Sequence, residues 1–570
     1  MSFLASAVRR VAASPRPDAT AVPAPAGRRV AASPRPDAAA VPAPAGRRAR
    51  RVLGRLAPVF LAVGLLAGCT SSPQFTTPTS GRPLKGPSAS APAGGPVSQS
   101  GGLDIPPAAW TPCPDAYKGI LASPPQTTEF SCATVKVPQD WAHPKDSGTF
   151  DIALVRGRST SQRDRVGSLF INPGGPGGSG FDYGVYRSVF LPAEILRRFD
   201  VIGFDPRGIG RSSPVKCFSD ADLDQNFGLD PDPVSDQGYQ QTVTLTRKLA
   251  QSCGEKYGDK LPLFSTEQAA RDMDALRAAV GERQLTYLGY SYGTLLGAVY
   301  AQLFPKNVRA LVLDGAVDPT LSAQASAEKQ AGGFELAFKN FTTWCSNTPN
   351  DCPIGPDARA VVMKAIADAR ANPIQGDGRK ATAGWVFTAV VSSLYSESSW
   401  RLLAQAMQDL RNGKPAKMFQ LADLYAERDP SGHYTNMFDA NSVVNCADSD
   451  NVPSVEQSRT LQSQWREKYP LFGGALALNL ICAQWPGKHD PYPTGPATGS
   501  APIVVIGTLG DPATPYEQAP ALAKMLGVGN LVTWKGEGHT AYPQTGCIID
   551  AVNRYLIDLK VPPNGTTCEK

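Results

Sequence analysis

Histidine is scarce in this sequence: 570 residues contain four, His143, His433, His489 and His539. Chemistry that needs an imidazole therefore has few places to occur. The eleven cysteines form no Cys-x-x-Cys pair and no paired Cys/His spacing, which argues against a zinc site. No Gly-x-x-x-x-Gly-Lys-Ser/Thr run is present, so a P-loop is excluded. The apolar stretch Leu56 to Leu66 is too short to cross a bilayer. A basic surface for nucleic acid is lacking as well. The formal charge is +6, but residues 1–68 carry eleven arginines against Asp18 and Asp37, a net of +9, which leaves −3 for the rest.

What is there reads as an exported globular protein. Apolar content of 42% with 19% charged residues fits a folded chain, long enough for a large core and an insertion. Arg47-Arg48-Ala49-Arg50-Arg51, the apolar run after it and Leu66-Ala67-Gly68-Cys69 have the order of a secretory signal. Small residues followed by cysteine resemble a bacterial lipobox, so Cys69 is the expected lipidation site, tying the protein to a membrane at the cell surface. Without that modification the protein would simply be secreted. Upstream, Arg9–Gly27 and Arg28–Gly46 form a tandem repeat differing only at Thr20 and Ala39. Two Pro-rich copies are too few for a solenoid, and residues 1–68 are read as low-complexity extension plus signal. Removing Cys69 leaves ten cysteines, enough for five disulfides in an oxidising compartment; neighbour-to-neighbour pairing is the simplest scheme. Residues 69–108, rich in Ser, Pro, Thr, Gly and Ala, read as a tether.

The chain is organised around Leu285-Thr286-Tyr287-Leu288-Gly289-Tyr290-Ser291-Tyr292-Gly293. An apolar strand-like run enters Gly-x-Ser-x-Gly, and a helix-like segment from Leu295 to Phe304 follows. This strand, turn and helix make a nucleophile elbow, with Ser291 exposed at the strand's end. Continuous apolar runs at Val166–Ile171, Val201–Phe204, Ala310–Leu313 and Ile503–Ile506 predict a mostly parallel, doubly wound α/β sheet covered on both faces. The expected core spans residues 109–318 and 501–570. Between them, amphipathic stretches at Ser326–Trp344, Ala358–Ala371, Trp400–Arg411, Ala416–Glu427 and Val455–Lys468 predict a helical cap over 319–500.

A serine nucleophile needs a base and an acid, in the order Ser, acid, His for this architecture. His143 precedes the elbow, His433 falls in the insertion and His489 in a Pro/Gly-rich linker, which leaves His539. Asp511, just past the Ile503–Ile506 run, is the expected acid; Asp314 and Asp318, past an earlier strand, are the alternatives. The Gly-rich loop Asn172–Gly180 can bring backbone N–H groups close to a ligand. One oxyanion donor is expected there, at Gly175, and the other at Tyr292, after the nucleophile.

Five segments in the same order, NPGGPGGSG (Asn172–Gly180), FDPRGIGRS (Phe204–Ser212), GYSYGT (Gly289–Thr294), GDPATP (Gly510–Pro515) and GEGHT (Gly536–Thr540), resemble the α/β-hydrolase serine exopeptidases. More narrowly, residues 110–570 are similar to the secreted tripeptidyl aminopeptidases, relatives of the prolyl iminopeptidases. The resemblance implies release of short peptides, tripeptides among them, from free N-termini, with no cofactor or metal. Asn172 stands where the wider group often has His, which weakens any inference of proline specificity. Recognition of an ammonium needs a carboxylate, and the expected insertion offers Glu397 and Asp448. An esterase or lipase with the same triad, or an inactive hydrolase fold used as a binding module, are the alternatives. Dehalogenase or epoxide hydrolase chemistry would want a carboxylate at position 291.

Overall fold

The computed structural model describes residues 105–114 and 128–570; the signal segment, Cys69 and most of the tether lie outside the described residues. Twelve strands are present in it: β1 (Thr111–Pro112), β2 (Thr128–Pro138), β3 (Thr149–Ser159), β4 (Gly167–Asn172), β5 (Phe199–Phe204), β6 (Leu285–Tyr290), β7 (Val308–Asp314), β8 (Ile374–Gly376), β9 (Arg379–Ala381), β10 (Ile503–Gly510), β11 (Gly529–Glu537) and β12 (Thr566–Cys568). Ten of them form one sheet in the order β1-β2-β3-β5-β4-β6-β7-β10-β11-β12. The β1–β2, β2–β3 and β3–β5 pairs are antiparallel, and every pair from β5 to β12 is parallel.

Every residue of β4, β5 and β6 is buried. Successive side chains on a strand point to opposite faces, and here both faces are covered. Phe170 and Tyr287 join one apolar cluster, while Leu169, Ile171 and Leu288 join another on the far side. That is why the runs read as continuously apolar instead of alternating.

Between β7 and β10 the chain is largely helical, including Ala323–Asn347, Ala358–Ala371, Ala383–Leu394, Trp400–Arg411, Ala416–Ala426, Met437–Asp448 and Val455–Lys468. This insertion is bonded to the loops at the carboxyl ends of the strands. The Asn436 side chain accepts from Gly210 N (2.9 Å) and donates to the carbonyls of Gly208 and Val215 (2.8 Å each), in the loop after β5. Asn441 Nδ2 donates to the Pro176 carbonyl, in the loop after β4 (3.0 Å). The ten cysteines of the described residues pair with their neighbours: Cys113–Cys132, Cys217–Cys253, Cys345–Cys352, Cys446–Cys482 and Cys547–Cys568.

The loop after β5 is held from below by a buried ion pair. Arg207 grips both carboxylate oxygens of Asp272 (2.7 and 2.5 Å) and donates to the carbonyls of Pro138, Gln139 and Leu263. Asp272 also takes the indole N–H of Trp141 (2.8 Å). With every charge and donor matched, the pair fixes the loop that carries Asp205 and Gly210. Truncating one partner leaves the other buried and uncompensated, so Arg207→Ala is expected to cost about 3–5 kcal/mol of stability. Denaturant unfolding checks this; a loss under about 1 kcal/mol would show the pair to be dispensable.

Candidate active site

At the end of β6 the chain turns through Ser291, whose φ of 55° and ψ of −126° lie where few side chains can go. A helix, Tyr292–Leu303, begins at the next residue. The turn is tight enough that a Cβ on Gly289 would stand 2.4 Å from the Gly293 carbonyl oxygen, and one on Gly293 would stand 2.9 Å from Asn172 Oδ1. Only glycine fits these crowded positions. The strained serine is pinned by Ser291 N–H donating to the Asp314 carbonyl (2.9 Å), across the β6–β7 pair.

Asp511 and His539 lie where the sequence placed them, in the loops after β10 and β11. His539 Nδ1 is 2.9 Å from both carboxylate oxygens of Asp511. The Asp511 side chain is fully buried and that of His539 is 10% exposed. The N–H groups of Ala513 and Thr514 reach Asp511 Oδ1 at 2.9 Å, and the Thr514 hydroxyl donates to Oδ2 at 3.1 Å. These donors hold the carboxylate in place. A carboxylate at Nδ1 puts the acceptor lone pair on Nε2. That Nε2 is buried and, among the described residues, has no hydrogen-bond partner, Ser291 included. A loose nucleophile–base contact is common before substrate binds.

The Tyr395 carbonyl, from the insertion, accepts the backbone N–H of His539 (2.9 Å), and Ser396 bridges to Gly538. The Tyr395 ring stands edge-on to the imidazole, 5.3 Å between centroids and 89° between planes. Tyr395 is thus a neighbour of the base that sequence reasoning missed; only its place beside Glu397 drew attention to the stretch.

Asp314, the alternative acid, has a different task. Its carboxylate accepts from Ala541 N (3.0 Å to each oxygen) and Tyr542 N (2.7 Å), two and three residues beyond His539. It is fully buried, and that burial pushes its pKa up to about 7, so it is a weak counter-charge for an imidazolium near neutrality. Asp318 takes Thr320 N and Oγ1 and has no contact with His539. The acid beside the base is Asp511.

The loop after β4 approaches the nucleophile closely. A Cβ on Gly174, whose φ is 90°, would fall 2.8 Å from Ser291 Cβ and 3.1 Å from Tyr292 N. Gly174 N–H is engaged by Asn172 Oδ1 at 2.9 Å, which accounts for a buried asparagine at the head of the loop. The next amide, Gly175, therefore remains the loop's candidate donor beside Tyr292 N–H.

The two carboxylates expected to meet an ammonium both have partners. Glu397 pairs with Lys570 Nζ at 2.6 Å. Asp448 accepts from Thr266 N (2.7 Å) and Oγ1 (2.6 Å), and Thr266 Oγ1 in turn meets the Tyr292 hydroxyl at 2.7 Å. Burial, with Asp490 nearby, pushes Asp448 up to about 7. Asp448 thus supports the side chain next to the nucleophile.

Known proteins match this arrangement along most of the chain. Residues 167–355 match a family model described as alpha/beta hydrolase fold, and residues 469–568 one described as TAP-like protein. Serine protease Hip1 of Mycobacterium tuberculosis is 36% identical over 489 residues, 81% of this chain and 91% of that protein. Carboxylesterase B of the same species is 34% identical over 532 residues, covering 90% and 98%. Tripeptidyl aminopeptidase of Streptomyces lividans is 32% identical over 460 residues, covering 77% and 83%. From the sheet order, the elbow and these relatives together, the chain belongs to the α/β-hydrolase family with a TAP-like C-terminal part, and it is a serine hydrolase.

Proposed function

We propose that this serine hydrolase is a peptidase that releases short peptides, tripeptides among them, from free N-termini. The observation that carries the reading is how the insertion meets the base. Tyr395 and Ser396 bond to the His539 loop, while Asn441 bonds to the loop after β4. A helical roof fastened to both sides of Ser291 would leave little room for a long chain to thread through. The relatives named serine protease and tripeptidyl aminopeptidase support the same reading.

In this mechanism Ser291 Oγ attacks the scissile carbonyl while His539 Nε2 takes its proton. Asp511 holds the imidazole and stabilises its charged form. The N–H groups of Tyr292 and Gly175 receive the oxyanion. The C–N bond then breaks, His539 returns the proton to the departing amine, and water repeats the sequence on the acyl-enzyme. The same steps cleave esters, and the relative named Carboxylesterase B makes ester hydrolysis the second reading.

A free N-terminus calls for a carboxylate on the insertion, and with Asp448 and Glu397 engaged, Glu427 is better placed. It ends the helix Ala416–Ala426, takes the Thr435 hydroxyl, and has Asp182 and Asp205 near enough to add negative charge that an ammonium would meet. Two residues earlier, Tyr425 packs on Tyr395 beside the base. The signal-like leader and the disulfides fit export, with Cys69 as the lipid anchor to the membrane.

Two outcomes follow. Asp511→Asn should lower kcat by about 10⁴, since it leaves His539 wrongly held. Asp314→Asn should cost only about tenfold, the weakening of one hydrogen bond to the loop; steady-state kinetics with the reverse order would move the acid to Asp314. Acetylating a peptide's N-terminus should lower kcat/KM at least about tenfold, as expected for losing a charge-assisted hydrogen bond. Glu427→Gln should remove most of that discrimination. Equal cleavage of free and acetylated peptides by the unaltered enzyme would rule out the aminopeptidase reading.

A further inference from the structure

The insertion holds a partly open cavity of about 110 Å³. Its walls are Gln330 and Phe334 from the helix Ala323–Asn347, Phe387 and Val391 from Ala383–Leu394, Tyr425 from Ala416–Ala426, and Phe472. In the helix Ala383–Leu394 every residue is buried except Phe387, which is half-exposed and lines this space. An aromatic ring uncovered inside a helical roof has lost packing partners it could have had.

The cavity adjoins the catalytic loops. Phe334 and Tyr425 pack on the Tyr395 ring at 5.8 and 5.9 Å, and Tyr395 meets the His539 imidazole at 5.3 Å. Gln330 Nε2 donates to the Ala513 carbonyl at 3.0 Å, and Ala513 N–H donates to Asp511. The same helix approaches the acid loop so closely that a Cβ on Gly333 would stand 2.7 Å from the Pro512 carbonyl oxygen. The cavity is therefore two ring-to-ring steps from the base. An extended peptide advances roughly 3.3 Å per residue, so two or three residues span a distance comparable to those two ring steps.

The lining sets what it can accept. Among the described residues no charged side chain borders the cavity. Its polar groups are engaged: Gln330 donates to the Ala513 carbonyl, Thr388 donates to the Gly384 carbonyl at 2.9 Å, and the Tyr425 hydroxyl bonds to that of Tyr395. A polar side chain would lose water there with little to replace it, whereas an apolar one would cover Phe387. Four segments of the insertion wall the space, and it is the insertion that, in the exopeptidase reading, holds the short released part of a substrate.

We propose that this cavity is the pocket for a bulky apolar side chain of the released peptide, at the second or third residue before the cleaved bond. The inference rests on the exopeptidase reading and adds to it the class of side chain selected. The test uses the full chain and tripeptidyl-aminocoumarins with free N-termini, Ala-Ala-Ala against Leu or Phe placed at the first or the middle position. The expected result is a kcat/KM ratio of bulky to Ala of at least about tenfold at one of those positions. Val391→Phe, which fills the space, should bring that ratio close to one. Phe387→Ala, which enlarges the space without crowding it, should move the preference towards Phe and Trp, and it keeps the test open if the first variant fails to fold. A wild-type ratio near one at both positions, or a ratio unmoved in both variants, would overturn the pocket. The same substrates with acetylated N-termini separate the two readings. Acetylation without effect while the side-chain preference persists would overturn the exopeptidase reading and support the pocket; the converse pattern would overturn the pocket alone.

Discussion

The backbone of Ser291 is the constraint on which the rest of the site depends. Its positive φ is unfavourable for any residue with a Cβ and persists only where neighbours overdetermine it. Here Gly289 and Gly293 vacate the crowded positions and the Asp314 carbonyl takes the serine's N–H. The same Asp314 reaches with its carboxylate to Ala541 and Tyr542, at the foot of the histidine loop. One residue at the end of β7 thus holds Ser291 with its main chain and the His539 loop with its side chain. The shared direction of the parallel strands delivers all three loops to one edge, where chemistry on this architecture takes place.

The insertion completes the site instead of merely covering it. Tyr395 fixes His539 through its carbonyl and ring, and Asp448 supports Tyr292 through Thr266. Asn436 and Asn441 tie the same segment to the loops after β5 and β4. Movement of the insertion would therefore alter the His539 loop and the loop after β4 together, so the insertion and the geometry around Ser291 are linked through ordinary hydrogen bonds.

Much of this was legible because it is written in local patterns. Continuous apolar runs placed β4, β5, β6, β7 and β10, and the amphipathic helices Ala358–Ala371, Trp400–Arg411 and Val455–Lys468 fall at the expected residues. The elbow, Asp511 and His539 could be found from chain order with only four histidines to choose from. Two of the longer helices of the insertion escaped notice for physical reasons. Ala383–Leu394 is buried on nearly every side and shows no amphipathic stripe, and Met437–Asp448 is interrupted by Asn and Asp residues that resemble turn signals. The roles of Asp448 and Glu397 were equally hidden. An acid's partners come from distant segments, Thr266 in one case and Lys570 in the other, and no local pattern reveals them.

The central claim is that Ser291, raised on a strained elbow and served by His539 and Asp511, is the nucleophile. Labelling the full-length protein with a fluorophosphonate, followed by mass spectrometry of the modified peptide, tests it most directly. The account predicts stoichiometric modification of Ser291 with loss of both peptidase and esterase activity, and no labelling of Ser291→Ala. Modification of a different residue, or hydrolysis persisting in Ser291→Ala, would contradict it.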